Sequence, residues 1–136
     1  MRYTPYESEY AAVPGMSAGE LMDYFLLRVF ETEELWGVSD GGSWMTFTRG
    51  DQEILPLWPY ERYASEVGSE RWQQCQPASV SLEYFIYEMA EDLISQGLMV
   101  EVLPRWEGSS GCLVSPYRLL EILEGMRDAG EYRLDG

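Results

Sequence analysis

The stretch between residues 82 and 104 constrains the fold more than any other part of this sequence. Apolar residues recur there at the i, i+3, i+4, i+7 spacing of a helix with one buried face: Leu82, Phe85, Ile86, Met89, Ala90, Leu93 and Ile94. Gly97 stands where such a helix ends, since glycine adopts the left-handed backbone of a helix C-terminus without strain. Leu98, Val100 and Val102 then alternate as in a half-buried strand. A long helix leading directly into a strand indicates a domain in which helices pack on a sheet.

Two further helices are predicted on either side of this unit. Ser17 and Glu20 have the spacing of a capping box, in which each side chain bonds to the other's backbone N–H. Apolar residues then form two adjacent rows on one helix face: Leu21, Phe25, Val29 and Met22, Leu26, Phe30. We expect this helix to end near Glu33. The last helix begins at Ser115 and Pro116, a good N-cap followed by a residue suited to the first helical position.

The segment after the first helix has the pattern of a sheet. Turn residues alternate with β-branched and aromatic runs, which predicts strands over residues 35–38, 44–48 and 53–58. Pro56 lacks the N–H that a ladder needs, so we expect the third strand to lie at a sheet edge or to stop early. A short helix over residues 60–67 follows, and residues 98–104 and 112–114 form a further strand pair.

These elements predict a single α+β domain with a small antiparallel sheet of about four or five strands packed with three main helices. The domain spans residues 17–128. Residues 1–16 form an N-terminal arm that packs loosely or is mobile, because Pro5, Pro14 and Gly15 interrupt any regular pattern. Residues 129–136 form a polar tail.

The composition removes most of the usual catalytic side chains. The 136 residues include no histidine, lysine or asparagine, so no imidazole base, imidazole metal ligand or Schiff-base amine is present. Cys75 and Cys112 lie far apart and form no metal-binding pair, and we expect both to be reduced thiols. We therefore predict no catalytic residue, no metal site and no cofactor. Carboxylate pairs such as Asp51 with Glu53, or Glu88 with Asp92, leave a carboxylate-dependent enzyme as an alternative without a supporting motif.

The charge limits the choice of partner. A net charge of -15 and a sequence pI near 4.1 disfavour direct binding to nucleic acid and to an anionic membrane surface. A basic protein surface is the partner such a field attracts, although acidity can also serve only to keep a small domain in solution. Residues 1–16 lack the pattern of a signal peptide, and no apolar run approaches the roughly 20 residues of a membrane span. We expect a cytoplasmic protein.

Several short segments occur in an order that resembles a known family. They are Leu-Trp-Gly-Val at 35–38, Ile-Leu-Pro-Leu-Trp-Pro at 54–59, Tyr63-Ala64, Trp72, and the strand segment at 97–104. Together they resemble a small bacterial family known as domain of unknown function 2750, from about Leu21 to Met126. The resemblance implies an α+β architecture and a bacterial cytoplasmic setting. It supplies no catalytic residue.

Two sets of residues are candidate binding sites. Trp58, Pro59 and Tyr63 form our preferred docking surface, with Trp106 as a further surface anchor, because tryptophan beside proline or in a Gly/Ser-rich loop can present a rigid apolar surface. Trp36, Trp44 and Trp72 are expected to close the sheet against its helices. The second set is an acidic patch at the end of the first helix: Glu31, Glu33, Glu34 and Asp40. A solvated helix end is the alternative for that patch.

The sequence thus favours a non-catalytic module that docks another protein. A narrower hypothesis is an immunity or decoy protein that neutralises a basic toxin or nuclease. The sequence leaves the oligomeric state open.

Overall fold

The computed structural model describes residues 5–72, 74–104 and 111–129, which form five helices and six strands. The helices are α1 (Glu7–Ala12), α2 (Ala18–Thr32), α3 (Glu61–Arg71), α4 (residues 82–96) and α5 (Pro116–Asp128). The strands are β1 (Glu34–Ser39), β2 (Phe47–Arg49), β3 (Gln52–Leu57), β4 (Gln76–Ser81), β5 (Met99–Val102) and β6 (Cys112–Val114). Trp106 and the predicted polar tail from residue 130 lie outside the described residues.

The fold is α+β as predicted, but the sheet prediction was wrong in count and direction. One sheet pairs β1 with β4, and the other has the order β2-β3-β5-β6. All described pairs are antiparallel except β3 with β5, which run parallel. The reason is that α3, β4 and α4 lie between β3 and β5 in the chain, long enough for a crossover that returns the chain in the same direction. The polar segment of β4, with Pro77 near its start, gave no strand signal.

The two sheets are joined through two tryptophans. The backbone N–H of Trp36 donates to the carbonyl of Trp58, and the N–H of Trp58 donates to the carbonyl of Trp36, each over 2.8 Å. These two hydrogen bonds connect the residue that follows β3 to β1 in antiparallel orientation. They hold the Leu-Pro-Leu-Trp segment at the centre of the domain.

Pro56 lies in an interior strand, so its predicted edge position was wrong. It pairs with Glu101 of β5, while β2 pairs only as far as Ile54 on the other side. The carbonyl of Leu57 accepts from the N–H of Leu103, so the backbone groups of Leu57 point toward β5. Backbone groups of successive strand residues point to opposite sides, so the nitrogen and carbonyl of Pro56 point away from β5. The missing N–H therefore falls on the side where β2 has already ended, and the ladder tolerates the proline.

The main helices begin and end where their capping residues predict. The capping box of α2 is present, with Ser17 N–H donating to Glu20 over 2.8 Å and Glu20 N–H donating to Ser17 over 3.2 Å. Ser115 accepts from the N–H of Arg118 at the start of α5. α4 ends at Gly97, which has the left-handed φ of 72°.

α4 departs from a regular helix in its middle. Residues Phe85–Met89 are π-helical, and the N–H of Ala90 donates to the carbonyl of Phe85. The wider π turn rotates the residues that follow about the helix axis. Ile94, predicted on the buried face, is accordingly 40% exposed, whereas Leu93 is buried.

The N-terminal segment contains a short helix that rests on the domain. Val13 joins the hydrophobic core, and the ring of Tyr10 stacks on Tyr63 with 5.1 Å between ring centroids. The N-terminal arm, within its described part, therefore covers α3. Its predicted mobility stays a prediction.

The core lies between the helices and the joined sheets. Its largest fully buried side chains are Trp58, Tyr60, Phe25, Phe85, Leu35, Ile54, Leu55, Leu57, Leu82, Leu119, Leu123 and Glu101. Across the described ranges, no helix is both long and apolar enough to cross a membrane.

Candidate functional site

The docking surface predicted at Trp58, Pro59 and Tyr63 was wrong, because all three residues are buried. Trp58 is 1% exposed and Tyr63 is 7% exposed. Pairing with Trp36 holds Trp58 inside the joint between the sheets, and α1 covers Tyr63. These residues stabilise the fold and offer no surface to a partner.

Tyr63 belongs to a buried tyrosine cluster, which also contains Tyr24 and Tyr60 and is covered by the half-buried ring of Tyr10. The hydroxyl groups of Tyr24 and Tyr63 are hydrogen-bonded at 2.8 Å, and Tyr24 also donates to the carboxylate of Glu9. Burial raises the pKa of Tyr63 to about 12, and burial together with the bond to Glu9 raises the pKa of Tyr24. Both phenols therefore stay neutral at physiological pH.

The predicted acidic patch is divided between the two ends of β1. Asp40 follows the strand at the end opposite Glu34, about 20 Å away at the usual strand rise. Asp40 accepts from the N–H groups of Gly42 and Ser43, and these bonds hold its pKa below its usual range. Glu31 forms an ion pair with Arg28 over 3.1 Å. The four carboxylates do not form one patch.

Glu33 instead lies in a groove that the sequence did not predict. The groove has a volume of about 440 Å³, and we call it the acidic tyrosine groove. Its lining residues are Glu33, Ser81, Glu83, Tyr84, Tyr87 and Glu88. Both tyrosines are exposed, Tyr84 to 51% and Tyr87 to 59%. Three carboxylates and two aromatic faces thus surround a space open to solvent.

The junction of α2, β4 and α4 positions these side chains. Glu33 has a left-handed φ of 64° at the end of α2, and its carbonyl accepts from the N–H of Leu82 over 2.8 Å. Ser81 caps α4 by accepting from the N–H of Tyr84 over 3.0 Å. The π turn then places Tyr87 and Glu88 beside that cap, and π turns occur frequently at functional sites.

One edge of the groove already contacts a guanidinium group. Arg127 donates to the Tyr87 hydroxyl over 2.9 Å, and its Cζ lies 5.5 Å from the centre of the Tyr87 ring. This distance falls within the range of a cation–π contact. Tyr87 thus already contacts an arginine of the same chain at the edge of the groove.

A second cavity of about 310 Å³ lies on the other side of Tyr84. Its apolar lining comes from core residues and two aromatic residues: Leu55, Met89, Leu93, Leu98, Trp44 and Tyr84. Glu53 and Asp92 add carboxylates to the lining. Trp44 packs closely over Gly37, where a Cβ would come within 3.0 Å of the indole ring. We call this space the Trp44 pocket.

A buried carboxylate in β5 is a further feature that the sequence did not reveal. Glu101 is fully buried, and its Oε2 accepts from the N–H of Gly111 over 2.7 Å. Its Oε1 lies 2.8 Å from Arg49 Nη1 as an ion pair without the alignment of a hydrogen bond. Gly111 approaches so closely that a Cβ there would lie 2.0 Å from the carbonyl oxygen of Val102. These contacts join β5 to the start of β6, which is a structural role.

The other candidate groups are the possible metal ligands and the two cysteines of the part of the chain that the structure describes. Within the described ranges, no group of three His, Cys, Asp or Glu side chains could hold a metal ion. Cys75 and Cys112 are half-buried and not joined by a disulfide. Burial and the nearby Glu101 raise the pKa of Cys112, which disfavours a reactive thiolate.

Sequence reasoning missed the groove because it followed only the apolar face of α4 and considered Glu88 only as a carboxylate paired with Asp92. The available signal was the pair of tyrosines among carboxylates on the other face. Tyr84 and Tyr87 lie about one helical turn apart and so form a small exposed aromatic patch, and contiguous exposed patches can mark interaction sites. The contribution of Glu33 depends on the joint between α2 and β4, which the sequence did not reveal.

Comparisons with known proteins place the chain in a family without giving it an activity. No curated protein matches the chain. The model of one family, described as "Protein of unknown function (DUF2750)", matches residues 22–123. That match runs from within α2 to within α5 and confirms the resemblance seen in the sequence. The chain belongs to the DUF2750 family.

Proposed function

We propose that this protein is a non-catalytic interaction module that binds a basic, arginine-bearing segment of a partner protein in the acidic tyrosine groove. The observation that carries the proposal is the arrangement of Glu33, Glu83 and Glu88 around the exposed rings of Tyr84 and Tyr87. A guanidinium group can stack on a tyrosine ring while donating to a carboxylate. The groove offers both partners within one space.

The charge of the whole chain supports the same class of partner. A net charge of -15 attracts a basic surface over distances comparable to the Debye length and accelerates encounter at low salt. The groove supplies the local contacts that such a field lacks. Charge then governs the association rate, while the tyrosines and carboxylates hold the bound segment.

Arginine suits the groove better than lysine. The guanidinium group is planar, stacks on aromatic rings and can bond to a carboxylate through two parallel N–H groups. Arg127 already makes the ring contact at Tyr87 within this chain. A partner arginine in the groove would make the same kind of ring contact with Tyr84, beside Glu83 and Glu88.

The non-catalytic part of the proposal rests on the sequence. Without histidine or lysine, catalysis would depend on carboxylates, tyrosines or cysteines. The tyrosine cluster is buried and held neutral, and Cys112 is held as a thiol. Binding needs none of these groups to change protonation.

The strong net charge also favours a narrower version, in which the partner is a basic toxin or nuclease and the protein acts in the cytoplasm as its immunity or decoy protein. This version predicts a toxin gene beside the gene for this chain. It also predicts stoichiometric inhibition of that toxin by the wild-type protein, with the inhibition lost in the groove variant described next.

The test is a binding titration with a labelled peptide that carries two arginines in a glycine–serine background. The groove variant Glu83→Gln/Glu88→Gln should weaken binding between about three- and thirty-fold, because it removes two charge contacts of up to about 1 kcal/mol each. The matched control Asp23→Asn/Asp51→Asn removes the same charge at exposed positions outside the groove. An equal loss of affinity in both variants would mean that only the net charge of the protein matters, and it would contradict the proposed site.

A further inference from the structure

The Trp44 pocket and the acidic tyrosine groove form one continuous surface along α4. Tyr84 belongs to the lining of both spaces. Ser81 and Glu88 lie on the groove side of it, and Asp92 and Gln96 on the pocket side. A chain that occupied the groove could therefore continue past Tyr84 into the pocket without leaving the surface.

Both spaces combine polar and apolar surface, but they differ in which apolar groups they present. The groove is walled by carboxylates and tyrosines, whereas the pocket is lined by Leu55, Leu93 and Leu98 from the core and by the ring of Trp44. Such a lining favours an apolar or aromatic side chain, since burying one against other apolar groups is the main source of affinity at such sites. The pocket's volume of about 310 Å³ is ample for a leucine, methionine or phenylalanine side chain.

The carboxylates of the pocket restrict the occupant further. Glu53 and Asp92 belong to its lining, so an acidic residue beside the apolar side chain would be repelled. Glu53 accepts from the Thr46 hydroxyl over 2.7 Å, which holds this carboxylate in place. The charge that selects a basic segment in the groove thus continues into the pocket.

We propose that the Trp44 pocket takes an apolar side chain of the same basic segment, so that the partner is recognised by an arginine and an apolar residue together. The inference rests on the proposed function, because the groove must first hold the arginine. On α4 the groove lining is centred near residue 86 and the pocket lining near residue 91, about five residues or about 8 Å apart at the helical rise. About two to three residues of extended chain cover that distance, so we expect about one or two residues between the arginine and the apolar residue.

The test compares labelled peptides in a glycine–serine background that carry arginine alone or arginine with leucine at spacings from one to six residues. Leucine at the favoured spacing should improve binding by about tenfold, the gain expected for burying one such side chain. The variant Gln96→Trp places a large ring at the pocket and should remove that gain while leaving the arginine-only peptide unaffected. The neighbouring exposed Ser95→Trp, which lies outside the pocket lining, should retain the gain.

The outcomes separate the two proposals. If leucine adds nothing at any spacing, or if Gln96→Trp keeps the full gain, the pocket proposal is overturned while the groove remains. If the arginine-only peptide fails to bind the wild-type protein, the proposed function itself is overturned. Circular dichroism melting of both tryptophan variants checks that each remains folded.

Discussion

The buried tyrosine cluster and the acidic tyrosine groove use the same residue type for opposite purposes. Tyr24 and Tyr63 bond to each other, and Tyr24 also bonds to Glu9, so their polar atoms are satisfied inside the protein. Tyr84 and Tyr87 expose more than half of their surface beside carboxylates. The first arrangement stabilises a fold, and the second leaves aromatic surface available to a partner. What distinguishes them is burial, which depends on neighbours that are distant in the sequence.

Among the predicted effects, the largest is the loss of stability on truncating Trp58, which is a buried residue like those of the tyrosine cluster. Trp58→Ala removes a fully buried ring at the joint between the sheets and should lower the free energy of unfolding by about 3–5 kcal/mol. Chemical denaturation with a tryptophan or circular dichroism signal measures this loss. A stable, well-folded Trp58→Ala protein with impaired peptide binding would reverse the roles assigned to the two regions.

Alkaline pH should destabilise the buried tyrosine cluster. An unfolded tyrosine loses its proton near pH 10, whereas burial raises the pKa of Tyr63 to about 12 in the folded protein. Above pH 10 the unfolded chain therefore binds fewer protons than the folded one, and stability falls as pH rises toward 12. Unfolding free energies measured through this window, with Tyr63→Phe for comparison, should show a shallower decline in the variant. Identical declines would show that Tyr63 does not contribute to the pH dependence.

Truncating Tyr84 should have the smallest effect on stability and a clear effect on binding. Tyr84→Ala removes an exposed ring, so the free energy of unfolding should change by no more than about 0.5 kcal/mol. Affinity for the two-arginine peptide should fall roughly two- to five-fold, as expected for the loss of an exposed cation–π contact. A large loss of stability would mean that the groove, like the tyrosine cluster, is part of the core.

Local signals predicted the helices well. The capping box at Ser17 and the cap at Ser115 depend on residues within four positions of each other, and the structure has both. Gly97 ends α4 for a similarly local reason, its tolerance of positive φ. At these three helix ends, neighbours in the chain determine the conformation, and the sequence was sufficient, whereas the short helix α1 and the π turn of α4 were not predicted.

The sheet topology, the burial of Trp58 and the groove depend on pairing between distant residues, which the sequence did not reveal. The parallel pairing of β3 with β5 depends on where the chain returns after α4, and the polar strand β4 forms only because β1 is available to it. The same limitation misplaced Trp58, because its burial follows from pairing with Trp36, 22 positions earlier. The groove combines Glu33 with residues from the start of α4, and that combination requires the same joint.

The most direct test of the binding proposal is a map of peptide-induced amide chemical shift changes on the uniformly ¹⁵N-labelled wild-type protein. With the two-arginine peptide, the changes should concentrate at Glu33 and at residues 81–88, and they should saturate with one affinity that weakens as salt is added. Residues 60–63 around the tyrosine cluster should remain unchanged. Changes centred on that cluster, or none at the groove with peptide in excess, would contradict the assignment of the binding site to the acidic tyrosine groove.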